Sequence, residues 1–220
     1  MDFGKNGNGN RFKALSTLRQ LKINYCSYKY DNNSIIDFFL NFINLEYLCI
    51  YNHFGPFIIN HFLLPRNLKG FFLSGYYNIV KKLNNLKRPT ELIVSELVHL
   101  RFLKIALWDN DDMDEIGRLE NLEFLELAGP KINVLKEGTF KNLKRLETLR
   151  IYGFRVEKIE ENAFCGLDKL VVFEMANLGR ENSPLRLESN AFKGLSYLQT
   201  MSIRNCTVLL VSEDFFDMFL

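Results

Sequence analysis

The chain has 220 residues, 47% of them hydrophobic and 25% charged, with 28 Lys+Arg against 26 Asp+Glu. Only 5 prolines and 13 glycines in that apolar background exclude a disordered or collagen-like chain, and a net charge of +2 excludes a general attraction to nucleic acid or anionic lipid. No apolar run approaches the roughly 20 residues that cross a bilayer.

The charge is uneven. Residues 1–106 carry 14 Lys+Arg and 6 Asp+Glu, whereas residues 107–220 carry 14 and 20. Met1 to Gln20 opens on a Gly/Asn-rich stretch and lacks the apolar core of a signal peptide, so residues 1–11 are read as a flexible segment. From Phe12 one apolar template recurs. Its copies are Phe12, Leu15, Leu18, Leu21, Ile23; then Phe39, Phe42, Leu45, Leu48, Ile50; then Phe62, Leu68, Phe71, Leu73. After an irregular stretch at 76–93 it resumes as Val94, Leu97, Leu100, Leu103, Ile105, and as Leu119, Leu122, Leu125, Leu127. The clearest copies are Phe140, Leu143, Leu146, Leu149, Ile151; Phe164, Leu167, Leu170, Phe173, Met175; and Phe192, Leu195, Leu198, Met201, Ile203. Phe216 opens a ninth, truncated copy.

The final step of two puts both apolar residues on one face of a short strand, while the steps of three demand a turning approach. One copy offers about seven apolar side chains worth roughly 1.5–3 kcal/mol each, against a backbone ordering cost of about 1–2 kcal/mol for each of some two dozen residues. A copy alone is unstable, so copies must stack and share a core.

The pattern resembles the leucine-rich repeat, L-x-x-L-x-L-x-x-N/C-x-L, from Phe12 to the end of the chain. Asn162-Ala163-Phe164-Cys165-Gly166-Leu167 and Asn190-Ala191-Phe192-Lys193-Gly194-Leu195 are similar to the wording of animal extracellular members such as Toll-type receptors, Slit and the leucine-rich proteoglycans. The resemblance implies an α/β solenoid over 12–220, a horseshoe with a parallel sheet on its concave face and loops or short helical turns on its convex face. The ninth copy, cut after its opening at Phe216, is read as the sign of a fragment of a longer receptor-like protein. One departure is clear: the inner-bend position, usually Asn or Cys, reads Cys26, His53, Tyr76, Trp108, Pro130, Phe154, Leu178 and Cys206. An irregular solenoid is expected, with aromatic residues filling the bend and with Cys26 and Cys206 as buried thiols.

Residues between the buried strand positions point outwards. That column reads Lys22, Cys49, Phe72, Lys104, Glu126, Arg150, Glu174, Ser202, and from Lys104 to Glu174 its sign alternates. Strands lie about 4.8 Å apart, so a ladder of opposite charges is predicted. The strand entries add Tyr47, Phe102 and Phe124, and the strand exits read Asn24, Tyr51, Ser74, Ala106, Ala128, Tyr152, Ala176, Arg204. The candidate ligand-binding residues are therefore Tyr47, Tyr51, Phe72, Phe102, Lys104, Phe124, Glu126, Arg150, Tyr152 and Glu174, with the aromatic residues as the energetic centre.

Other chemistry is not legible. His53, His61 and His99 carry no H-E-x-x-H spacing, and Cys26, Cys49, Cys165 and Cys206 form no C-x-x-C. Asp109, Asp111, Asp112, Asp114 and Glu115 resemble a calcium loop only in composition and read as a solvated loop or helix start. Lys81, Lys82, Lys87 and Arg88 read as a solvated basic loop, and Asn32 and Asn205 match the glycosylation sequon. The expectation is a non-catalytic protein-recognition module without cofactor or metal, extracellular or at the cell surface within a longer protein. Its partner is a protein and not a nucleic acid, any membrane contact runs through a segment outside this chain, and self-association through the C-terminal end is a further expectation. The alternative is a cytoplasmic scaffold or adaptor, since Leu97-Val98-His99-Leu100-Arg101-Phe102-Leu103 resembles plant immune receptors and ubiquitin-ligase subunits use the same repeat.

Overall fold

The structure, a computed structural model, describes residues 15–24, 42–53, 64–75, 97–106, 111–128, 132–153, 156–179 and 181–210. The N-terminal segment 1–11, the irregular stretch 76–93, the copy opening at Phe216, the basic cluster, Asn32, and the bend residues Cys26, Tyr76, Trp108, Pro130 and Phe154 lie outside the described residues. Two compact units divide the chain, Met1–Leu100 and Arg101–Leu220.

In the first unit, β1 (Gln20–Asn24), β2 (Tyr47–His53) and β3 (Gly70–Gly75) pair in parallel. The register aligns Leu21 with Leu48 and Phe71, and Ile23 with Ile50 and Leu73, so the apolar template stacks like on like. Leu48, Ile50, Phe71 and Leu73 are buried over Phe42, Leu45 and Leu68.

The second unit contains β4 (Phe102–Ala106), the helix α1 (Asp111–Ile116), β5 (Phe124–Ala128), β6 (Val134–Leu135), β7 (Thr148–Tyr152), β8 (Lys158–Ile159), β9 (Val172–Ala176), β10 (Leu185–Leu187), β11 (Thr200–Arg204) and β12 (Val208–Leu210). Strands β4, β5, β7, β9 and β11 form the main parallel sheet, aligning Leu103, Leu125, Leu149, Phe173 and Met201 in one column. From β5 onwards the return path of each turn adds a strand to a second parallel sheet of β6, β8, β10 and β12, beyond the loops and helical turns expected there. Between the sheets, the Phe140 and Phe164 rings stack at 5.6 Å and Phe164 and Phe192 at 5.2 Å, with Phe173 edge-on to Phe164 at 4.9 Å. These contacts add to what burial alone contributes.

Three devices hold successive turns in register. At each strand entry one carbonyl accepts two N–H groups of the next turn: Arg19 O from Glu46 and Tyr47, Glu123 O from Glu147 and Thr148, Val171 O from Gln199 and Thr200. Asparagine amides also donate to the preceding turn, Asn44 Nδ2 to Ser16 O at 2.7 Å and Asn67 Nδ2 to Ile43 O at 3.1 Å. These asparagines sit in the turn before the strand, and they tie neighbouring turns together although the bend position has lost its Asn. The third device is left-handed backbone at matched points. Gly138, Asn162 and Asn190 have positive φ two residues before their Phe, as do Gly153, Asn177 and Asn205 two residues after the strand core. Only Gly and Asn take this conformation at low energy.

The bend residue Leu178 is fully buried. Cys206, expected buried, is half-exposed, its thiol donating to Arg204 O at 3.2 Å. The reason is its place in the stack: in that turn Leu195, Leu198 and Met201 are only half-buried and Ile203 is 40% exposed, while their counterparts Leu167, Leu170, Phe173 and Met175 are 0% exposed. Cys49, expected on the outward column, is buried at 7%.

A Cβ on Gly166, at φ 92°, would lie 2.5 Å from Lys141 O, whereas Gly153, at φ 65°, faces open space. Gly166→Ala should therefore lower unfolding stability by about 2 kcal/mol or more. Gly153→Asn, which copies the residue at the matching positions 177 and 205, should stay within about 0.5 kcal/mol of the parent. Urea unfolding of both variants checks the contrast.

Candidate functional site

In the first unit Tyr47, Tyr51 and Phe72 lie on the strand face, all half-buried. The Tyr47 ring crosses to the neighbouring strand and rests over Gly70: a Cβ there would meet Tyr47 Cδ1 at 2.6 Å and Phe72 Cε2 at 3.1 Å. A glycine at the first position of β3 is thus the condition for the two rings to gather. Lys22 Nζ stands 5.3 Å from the centre of the Tyr51 ring, a cation–π distance.

The second unit brings Phe102, Lys104, Phe124, Glu126, Arg150, Tyr152 and Glu174 onto one strand face. The in-register pairing of Lys104 with Glu126, Glu126 with Arg150 and Arg150 with Glu174 sets the predicted ladder. Lys104 Nζ lies 2.6 Å from Glu126 Oε1, Arg150 Nη1 3.9 Å from Glu126 Oε2, and Arg150 Nε 3.5 Å from Glu174 Oε2. That last contact is charge proximity alone, because Arg150 Nε is buried without a hydrogen-bond partner. Arg150 Nη2 donates to Glu174 Oε1 at 3.5 Å, and its guanidinium lies 5.5 Å from the Phe124 ring centre.

Glu126 and Glu174 are the hubs. Glu126 is the buried charged residue of the described structure, at 9% exposure, with a cation on either side. Glu174 Oε2 accepts from the Tyr152 hydroxyl at 2.7 Å and from Arg204 Nη2 at 3.4 Å. Burial, followed by the hydrogen bond to Glu174 and its charge, pushes the Tyr152 phenol up to about 12 from its ordinary 10.0.

The sequence reading placed Arg204 at a strand exit without assigning it to the site, and it missed a second set of charges just before the strands as far as β7. There Arg19 and Lys69 flank Glu46 at 3.4 and 3.1 Å, and Arg101 grips Glu123 with Nε at 2.8 Å and Nη2 at 2.6 Å. The signal was present as opposite charges at the residues preceding neighbouring strands, Arg19, Glu46 and Lys69 in the first unit and Arg101 and Glu123 in the second. Arg101 also lies 5.6 Å from the Phe102 ring centre.

On the return side, Lys158 Nζ bridges Glu188 at 2.8 Å and Glu160 at 3.4 Å. The hydrogen bond from Lys158 and the Glu161 N–H hold the Glu188 carboxyl below its usual range. Asp111, Asp112, Asp114 and Glu115 fall on α1, as a helix start, and Glu115 pairs with Arg118 at 2.7 Å. His99 is exposed in the turn before β4. No group of three or more His, Cys, Asp or Glu among the described residues is placed to hold a metal ion. Asn205 is exposed just after β11, its amide donating to Asn177 Oδ1 at 3.4 Å.

Turns of 24 or so residues, each contributing one strand to a parallel sheet and a buried leucine ladder to a shared core, define a leucine-rich repeat protein. The family described as Leucine rich repeat matches residues 118–177. Leucine-rich repeat-containing protein 4B of Mus musculus, Rattus norvegicus and Homo sapiens is 31% identical over 79 residues, 36% of this chain and 11% of the relative. The matched stretch thus spans about a tenth of the length of these curated relatives. Among solved structures, internalin C2 from Listeria monocytogenes is similar at 14% identity and a TM-score of 0.49, over 87% of this chain and 83% of that one. No helix among the described residues is long and apolar enough to cross a membrane.

Two outcomes test the electrostatics. Glu126→Ala leaves Lys104 and Arg150 facing each other without their carboxylate and should cost about 3 kcal/mol in urea unfolding. In an ultraviolet titration of the phenols, Glu174→Gln should bring Tyr152 from about 12 towards its ordinary value. Because the folded value is the higher one, this interaction stabilises the fold fully below pH 10 and is lost as pH rises through about 12.

Proposed function

We propose that the chain is a non-catalytic recognition module whose strand faces bind a protein ligand, as part of a longer extracellular or cell-surface protein. Leucine-rich repeat domains are typically protein-binding scaffolds, and the observation that carries the reading here is the strand face of the second unit. Rigid parallel strands hold the Lys104–Glu126–Arg150–Glu174 ladder beside the half-buried rings of Phe102 and Phe124. A preorganised face loses little side-chain freedom on binding. Its carboxylates are committed to cations, which suits recognition rather than proton transfer. Tyr47, Tyr51 and Phe72 offer an aromatic face in the first unit, and Tyr152 completes the set in the second. The domain is taken as residues 12–220, and the exposure of Ile203 on β11 supports self-association towards the C-terminal end. The extracellular setting is supported by the Asn-Ala-Phe-x-Gly-Leu phrases and the exposed sequon residue Asn205.

A cytoplasmic scaffold is the second reading, favoured by the exposed thiol of Cys165, which oxidising compartments leave open to modification. Alkylation mapping of the four cysteines together with glycan analysis of secreted chain separates the two. For the binding face itself, the intact chain is screened against an array of secreted and cell-surface ectodomains. The double variant Phe102→Ala/Phe124→Ala should weaken binding of any hit at least tenfold, since buried aromatic anchors dominate interfaces, and Arg150→Ala should weaken it less. Arg186→Ala, exposed on β10, should leave it within twofold. Binding that ignores the double variant but fails with Arg186→Ala would overturn the assignment.

A further inference from the structure

We infer that the strand face of the second unit selects an acidic, extended segment of its partner protein, whose carboxylates meet Lys104, Arg150 and Arg204. This rests on the recognition reading above and specifies the ligand's chemistry. In the ladder the two signs do not stand at the same depth. The Glu126 and Glu174 side chains keep 11% and 18% of their surface, whereas those of Lys104, Arg150 and Arg204 keep 33%, 36% and 61%. The short carboxylates form a floor and the long cations fold over them, as long charged side chains do when their stems lie on a packed surface. An approaching ligand therefore meets ammonium and guanidinium groups, although residues 107–220 as a whole carry 20 acidic against 14 basic side chains.

The floor is already saturated. Glu174 is shared by Arg150, Tyr152 and Arg204, so it offers little to a basic ligand, while the cationic side chains, Arg204 above all, keep the surface that a ligand can reach. A carboxylate suits the guanidinium fork, which binds it through two parallel N–H bonds. The residues just before the strands offer no such one-sided field, because exposed Glu147 stands there together with exposed Arg101. The strand exits admit it: Ala128 and Ala176 leave low ground on either side of Tyr152, and Arg204 stands beyond.

Spacing narrows the ligand further. Lys104, Arg150 and Arg204 stand on every second strand, β4, β7 and β11 with β5 and β9 between. Lys104 and Arg150 are thus about 10 Å apart by strand spacing, and so are Arg150 and Arg204 measured across the strands, Arg204 lying two residues further along its strand so that the ligand crosses the sheet at a slant. A polyproline II chain repeats its side-chain direction every three residues, a rise of about 9.3 Å. Acidic residues three apart on one such chain laid across the strands match the cations.

A phage library of random linear 12-residue peptides, selected on the intact chain, tests this. The result expected is a set of peptides that depend on the face, being lost with Phe102→Ala/Phe124→Ala, and that are enriched in Asp and Glu three residues apart. Arg204→Glu should weaken them at least tenfold and the neutral Arg204→Gln about threefold. The neutral variant keeps the test sound should a carboxylate at 204 disturb Glu174. Face-dependent peptides without acidic enrichment, or indifferent to both Arg204 variants, overturn this inference and leave the recognition reading standing. Binding of a heparin-derived oligosaccharide in place of any acidic peptide, lost with Arg204→Glu, overturns it in favour of a sulfated sugar. The absence of any face-dependent peptide overturns both readings.

Discussion

Everything in this molecule depends on one constraint: no turn can bury its own leucines, so each must land on its neighbour in strict register. The backbone enforces that register as firmly as the side chains do. The phrase Asn-Ala-Phe-x-Gly-Leu is best understood this way. Asn162 and Gly166 bracket Phe164, and Asn190 and Gly194 bracket Phe192, all four with positive φ. An ordinary residue forced into that conformation costs about 1–2 kcal/mol, so Asn and Gly at these points make the chain bend at the same two places in these two turns. The phenylalanine between them is then delivered onto the ring below it. Stacked rings 5.2–5.6 Å apart and nearly parallel are the outcome of matched backbone bends.

Register also turns sequence charge into surface chemistry. In a parallel sheet with no offset, residues at the same place in successive copies become neighbours, so alternating signs become a continuous ladder. An exposed ion pair contributes about 0–1 kcal/mol. Glu126 and Glu174 are different because they are mostly covered and each serves more than one donor, which makes loss of a carboxylate costlier than loss of one cation. A structural and a recognition role for the ladder are therefore compatible. The buried carboxylates lock the positions of the longer side chains, and those positions form the displayed pattern.

The main-sheet registers and the sign pattern of the ladder were legible from the columns alone, because apolar template and strand pairing share one period. Lys104 against Glu126 needed only the assumption that like positions align. The second sheet was not legible: β6 and β8 have two residues each, too few to leave a periodicity. Nor were the cross-turn asparagines, since Asn44 and Asn67 work outside the bend where the resemblance directs attention. The half-exposure of Cys206 depends on how well the last described turn is covered, a property of neighbours and not of the turn's own sequence. Depth on the strand face was invisible for a related reason. A column of letters gives alternation, but side-chain length decides that Lys and Arg end above Glu.

That difference in length also limits what net charge says about binding. Salt screens charges beyond about 8 Å at physiological ionic strength, close to the spacing of alternate strands. A ligand in contact with the face feels the groups at the surface of the ladder and little of the acidic residues of α1 or the return side. Glu157, Glu160, Glu161 and Glu188 contribute fully to the sum for residues 107–220, yet Glu160 and Glu188 sit around Lys158, on the other sheet. The sign that matters for recognition is therefore set one pair at a time, by which member is tall enough to reach solvent, and the repeat sets it in four pairs from Lys104–Glu126 to Glu174–Arg204.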